Sequence, residues 1–107
     1  MASAIPAADV FGAISAPARR ELLRMLAVKE MPVLEIAESF DMTLSAVSQH
    51  LGVLRQAGLV AQRKQGKQRL YRLEPEPLRE VADWLSFYEP FWRSRLERLG
   101  DYLEQNP

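Results

Sequence analysis

The chain contains no cysteine and a single histidine, His50. The first absence excludes disulfides, thiolate metal sites and thiol catalysis, and leaves no direct sign of redox compartment. The second excludes a metal cage built from several histidines. No apolar run approaches the ~18 residues that span a bilayer. The opening MASAIPAADVFGAISAPARR has no basic residue before its apolar part and carries Asp9 in its middle, which argues against a secretory leader. A cytoplasmic protein is expected. Acidic residues are also missing from a long central stretch. Between Met42 and Leu73 there is no Asp or Glu, while Arg55, Arg63, Lys64, Lys67, Arg69 and Arg72 are all basic. From Glu74 onward the balance reverses, so a formal net charge of zero conceals a positive middle and a negative tail.

What is present is the composition of one ordinary globular domain: 107 residues, 48% hydrophobic and 26% charged, with no low-complexity tract. Proline and glycine punctuate it. Pro6 can open a short helix containing Val10, Phe11 and Ile14, and Ser15 with Pro17 marks its end and the start of the next. That second helix, roughly Pro17 to Val28, points Leu22, Leu23 and Leu26 inward and Arg19, Arg20 and Arg24 outward. Met31-Pro32 breaks the chain. Val33, Ile36, Ala37 and Phe40 then recur at the spacing of one buried helical stripe.

After Asp41-Met42-Thr43, a linker short enough to force a steep crossing, Thr43 can cap a fourth helix through its hydroxyl. Two helices joined by so short a turn form a helix-turn-helix. At 100° per residue, Val47, His50, Leu51, Leu54 and Ala57 gather on one side of the fourth helix, and Ser45, Ser48, Gln49, Gly52 and Gln56 on the other. The exposed side is small, polar and uncharged for two turns, with Arg55 added near the end. Such a face suits close approach to a flat partner rich in hydrogen-bonding edges, from which long charged side chains would hold it away.

Gly58 closes that helix. Leu59 to Lys64 and Arg69 to Leu73 read as two short strands joined by Gln65-Gly66-Lys67-Gln68, with Gly66 able to take the φ > 0 conformation of a hairpin turn. Tyr71 and Leu73 are expected to anchor this basic hairpin to the core. Glu74-Pro75-Glu76-Pro77 then leads into a last helical region, in which Leu78, Val81, Leu85, Tyr88, Trp92, Leu96, Leu99 and Leu103 recur at three- and four-residue spacing. Six of the nine aromatic residues follow Pro77. That is more apolar surface than one side of so small a domain needs, and it suggests a second copy of the chain as partner. Pro90 interrupts the helical pattern, and Ser86-Phe87-Tyr88-Glu89 has the form of a capping box. Two helices restarted at Ser86 and one kinked helix are both allowed.

Three stretches together resemble the ArsR/SmtB family of winged helix-turn-helix repressors. They are Ser15-Ala16-Pro17-Ala18-Arg19-Arg20-Glu21-Leu22-Leu23, similar to the family's D-P-x-R-R-x-I/L-L opening; Leu44 to Val60, LSAVSQHLGVLRQAGLV; and Arg63 to Leu73, RKQGKQRLYRL. The resemblance spans roughly residues 8–85. It implies a mainly α fold with a β-hairpin, as a single winged helix-turn-helix domain over 1–107. Residues 8–73 would form the DNA-binding core and wing, and 75–104 a terminal dimerisation region. It further implies a homodimeric repressor on an inverted-repeat operator, released by an inducer. Metal-sensing members use cysteine pairs or Asp/His/Glu sets that this chain lacks, so no metal and no cofactor is expected. Gly52 stands where relatives often carry lysine.

In that architecture Leu44 to Ala57 is the recognition helix. Ser45, Ser48 and Gln49 would read base edges in the major groove, with Gln49 suited to a bidentate pair with adenine. His50 fits either a base contact or a half-buried, satisfied histidine. Thr43 and the first amides of the helix would hold phosphate, and Lys64, Lys67 and Arg69 would meet backbone or minor groove. Ala46, Arg55 and Arg63 complete the expected DNA-contact set, while Arg19 and Arg20 fit phosphate contacts or surface charges equally. The expected dimer contacts are Val10, Phe11, Leu85, Tyr88, Phe91, Trp92, Leu96 and Leu99. The aromatic region has room for an effector, small molecule or protein, although dimer packing explains the same residues. A rival is a winged-helix protein-interaction module without DNA binding. No enzyme is expected, since no titratable cluster resembles a nucleophile with its base.

Overall fold

The computed structural model describes residues 9–105. Its elements are α1 (Val10–Ala13), α2 (Pro17–Val28), β1 (Met31–Pro32), α3 (Val33–Glu38), α4 (Leu44–Gln56), β2 (Val60–Gln65), β3 (Gln68–Leu73) and α5 (Leu78–Gln105). The mainly helical chain carries the expected hairpin. Pro6, expected to open the first helix, lies outside the described residues. The cap within them is Asp9, whose carboxylate accepts from the Gly12 amide at 3.2 Å. α2 begins at Pro17, where the missing amide is one that no helical carbonyl would have used. Leu22, Leu23 and Leu26 turn inward as the spacing requires.

Met31-Pro32 is a short strand rather than a simple break. It pairs antiparallel with β3, Met31 opposite Tyr71 and Pro32 opposite Leu70, giving a three-stranded sheet in the order β1-β3-β2. β1 is an edge, which suits proline because only one neighbour asks it for hydrogen bonds. The strand was illegible beforehand because its partner lies some forty residues away.

α4 ends in a pair of capping bonds. Gly58 takes φ 77°, its amide donates to the Arg55 carbonyl at 2.9 Å, and the Leu59 amide donates to the Leu54 carbonyl at 2.9 Å. This is the Schellman arrangement, in which the residue after the glycine packs back on the last turn. Leu54 and Leu59 are both fully buried. At the hairpin tip Gln65 pairs with Gln68, leaving Gly66 (φ 64°) and Lys67 as the two turn residues, with positive φ only at the first. That is the type II′ pattern.

The core joins Leu22, Leu26, Ile36, Val47, Leu51, Leu54 and Leu59 with Val10 and Ala13 of α1, Met31 of β1 and Val60 of β2. Each such aliphatic side chain contributes ~1.5–3 kcal/mol when fully buried. Tyr71, Leu73, Leu78 and Val81 pack against its edge, so the hairpin is anchored as expected. Core formation therefore fixes α4 and the hairpin on one body.

α5 runs unbroken for 28 residues through Pro90, and none of them is buried. The Ser86 hydroxyl donates to the Asp83 carbonyl at 2.6 Å, and Glu89 pairs with Arg93, so the apparent capping box does not restart the helix. A helix of this length spans ~42 Å. The radius of gyration is 18.0 Å, against about 13 Å for a compact chain of this size. α5, which has no buried residue, contributes to that extension. No helix among the described residues is long and apolar enough to cross a membrane.

Candidate nucleic-acid interface

Thr43 shapes the start of α4. Its Oγ1 accepts from the Ala46 amide at 3.0 Å, and the amides of Leu44 and Ser45 ahead of it have no carbonyl within the helix to meet. Val47, Leu51 and Leu54 are buried, leaving Ser45, Ser48, Gln49, Arg55 and Gln56 exposed and Ala46, His50 and Gly52 half-buried. α4 therefore divides as its sequence implied. The outward face combines hydroxyls, a carboxamide and a glycine around an N-terminus with spare amides, a set able to meet both base edges and phosphate.

The wing adds cations. Lys64 and Arg69 occupy directly opposed positions on β2 and β3, and Lys67 sits in the turn. Among the described residues Lys64, Lys67, Arg69 and Arg55 take part in no ion pair. Like charges facing each other across a ladder are destabilising. An external polyanion relieves that repulsion and a neutral surface does not.

The arsR family profile of bacterial regulatory proteins matches residues 16–62. The transcriptional repressor SdpR of Bacillus subtilis (strain 168) is 34% identical over 77 residues, which cover 72% of this chain and 86% of that protein. The chain belongs to the ArsR family. Like its relatives it is a DNA-binding transcriptional regulator and not an enzyme. The HTH-type transcriptional regulator KmtR of Mycobacterium tuberculosis (strain ATCC 25618 / H37Rv) is 41% identical over 74 residues, 69% of this chain but 57% of that protein. The crystal structure of another ArsR family transcriptional regulator superposes with a TM-score of 0.70 at 33% identity, covering 79% of this chain and 93% of that one. The resemblance read from the α2 opening, α4 and the hairpin is thus a family relationship, and the fold is the winged helix-turn-helix of ArsR-like structures.

Against that ArsR frame the remaining site residues separate. Arg63, expected at DNA, forms a bidentate pair with Glu30: Nε donates to Oε2 and Nη2 to Oε1, each at 2.8 Å. The hydrogen bonds from Arg63 hold the Glu30 carboxyl below its usual range, assisted by the charges of Arg63 and Arg72, while partial desolvation opposes the shift. The same partner raises the Arg63 pKa. Arg63 therefore ties β2 to the segment before β1. Arg72 is held at 2.9 Å by Glu74.

Arg19 and Arg20 both donate to main-chain carbonyls. Arg19 Nε donates to the Ala13 carbonyl at 2.6 Å and Nη2 to the Gly12 carbonyl at 3.2 Å, and Arg20 Nη1 donates to the Ile14 carbonyl at 2.7 Å. Both arginines satisfy carbonyls at the open end of α1, a role that marking this end at Ser15 and Pro17 did not reveal, because it depends on how α2 packs back against α1. Val10, expected at a dimer contact, is 5% exposed and belongs to the chain's own core. Phe11 is half-buried, and its ring meets Trp84 of α5 edge-on at 5.7 Å between centroids. Leu85, Tyr88, Phe91, Trp92, Leu96 and Leu99 remain exposed along α5.

Proposed function

We propose that the protein is a homodimeric repressor that reads an inverted-repeat operator, with α4 in the major groove and the wing on the backbone or minor groove. The observation that carries the reading is the pairing of a small polar α4 face with Lys64, Lys67 and Arg69, three cations on one hairpin with no ion-pair partner among the described residues. Gln49 reads a base, adenine being the natural match, with Ser45 and Ser48 beside it. Thr43 and the first α4 amides hold phosphate. Arg55 and the wing cations supply the sequence-independent attraction.

The exposed apolar face of α5 supports a second copy as its cover. Phe87 and Phe91 are 70% and 69% exposed, and a two-fold axis through α5 buries such a face on both chains at once. Two α4 helices about 34 Å apart then meet successive turns of duplex. The absence of cysteine and the place of the lone histidine on α4 support regulation without a Cys/His-bound metal. The expected setting is the cytoplasm, where the operator is.

Two variants separate reading from attraction. Gln49→Ala reduces discrimination between operator and scrambled duplex by ~1–3 kcal/mol, whereas Lys67→Ala weakens both alike and lowers the salt slope. Equal losses on both duplexes for Gln49→Ala remove it from the reading face.

A further inference from the structure

His50 is the one titratable side chain on the inner half of α4, and its partner comes from another helix. Its Nδ1 lies 3.2 Å from Arg19 Nη1. A guanidinium carries donors only and stays charged in proteins, so Nδ1 must supply the lone pair. The neutral imidazole then keeps its proton on Nε2. The same guanidinium is tethered at two more points, the Ala13 and Gly12 carbonyls. It cannot swing away without uncapping α1. His50 is half-buried, beside exposed Gln49 on the helix.

We propose that Arg19 is a positioning residue that locks His50 as the Nε2–H tautomer, making His50 a hydrogen-bond donor toward the acceptor edge of a base in the DNA that α4 reads. The inference rests on the assignment of α4 as the reading helix. Suitable acceptors in the major groove are purine N7, guanine O6 and thymine O4. Cytosine offers only its amine donor there and is the base that His50 rejects. Gln49 and His50 then differ in kind: the carboxamide both donates and accepts, while the locked imidazole donates alone.

Two measurements test this. The first uses the full chain labelled with nitrogen-15 histidine, where a lone histidine leaves no assignment ambiguity. Long-range proton–nitrogen correlation at alkaline pH is expected to show unprotonated Nδ1 and protonated Nε2. Protonated Nδ1 overturns the proposal. The second uses an operator selected from a random duplex pool, with each position then changed to cytosine. Beyond the position that Gln49 reads, wild type is expected to lose about two- to tenfold at one further position per half-site through one neutral hydrogen bond. His50→Ala and Arg19→Ala should each abolish that penalty, the double variant should lose nothing more, and Arg19→Lys should restore part of it.

Thermal melting of each variant distinguishes this from a folding defect, and His50→Gln provides a second probe that leaves the α1 cap intact. If wild type prefers its operator but His50→Ala and His50→Gln keep every base preference, the inference falls while the α4 assignment stands. If wild type prefers no duplex at all, both fall together.

Discussion

Replacing Gly52 with alanine should make this protein more stable. Gly52 lies inside α4, and a Cβ built there meets nothing within 4 Å beyond its chain neighbours and the adjacent backbone of its own helix. Neither clash nor relief of strain therefore offsets the propensity difference, in which an interior glycine is ~0.8–1.0 kcal/mol less favourable than alanine. For a domain of this size the gain corresponds to about 4 °C in Tm. It should be read by circular dichroism at a fixed protomer concentration, because self-association makes Tm concentration-dependent. An unchanged or lowered Tm would refute the picture of an open, regular helix at this point. Gly52→Lys carries the same logic to function. It gains nearly the same helix stability and adds a cation beside the reading face, steepening the salt dependence of DNA binding by about 0.9 per phosphate contact formed. A stabilised Gly52→Lys protein with an unchanged slope would place this part of α4 away from the phosphates.

Gly58→Ala should act in the opposite sense. Its φ of 77° is left-handed, while the nearest atom to a new Cβ, Pro77 Cγ at 3.5 Å, is an ordinary contact, so the loss is conformational, ~1–2 kcal/mol in denaturant titration. The Glu30–Arg63 pair predicts a pH effect. Because the Glu30 carboxyl is depressed, its stabilising contribution is complete above the ordinary carboxylate value and disappears as pH falls through the lower folded-state value. Glu30→Gln should remove that part of the acid limb of the stability curve, and an unchanged limb would show that the pair is not maintained in solution. Phe91→Asp should convert dimers to folded monomers in sedimentation velocity, since the Phe91 side chain is 69% exposed in its own chain. A Phe91→Asp protein that remains dimeric would exclude this part of α5 from the contact.

The parts legible in the sequence were those with local causes. Pro17 and the leucine spacing set α2, Thr43 sets the start of α4, Gly58 its end and Gly66 the hairpin tip, and each signal acts within a few residues. The division of α4 into a buried and a polar side was legible for the same reason. What escaped depended on distant partners. β1 exists only because β3 comes to lie beside Met31-Pro32. The partners of the arginines were not legible because charge alone does not reveal the acceptor: Arg63 pairs with Glu30, and Arg19 and Arg20 reach the carbonyls closing α1. Pro90 left two helices and one kinked helix open, and the missing amide falls within a solvent-exposed helix that continues past it. The Arg19–His50 contact joins two residues that sequence reading treated separately, and nothing in their spacing announces it.

Fluorescence anisotropy of the metal-free protein should be measured on duplex DNA from upstream of its own gene and on a scrambled duplex of equal length, across a salt series. Preferential binding of the upstream duplex, weakening steeply as salt rises, is the expected result for a dimer that reads bases through α4 and holds phosphates with the wing. Equal binding to both duplexes at every salt concentration, or binding to neither at low salt, would contradict it.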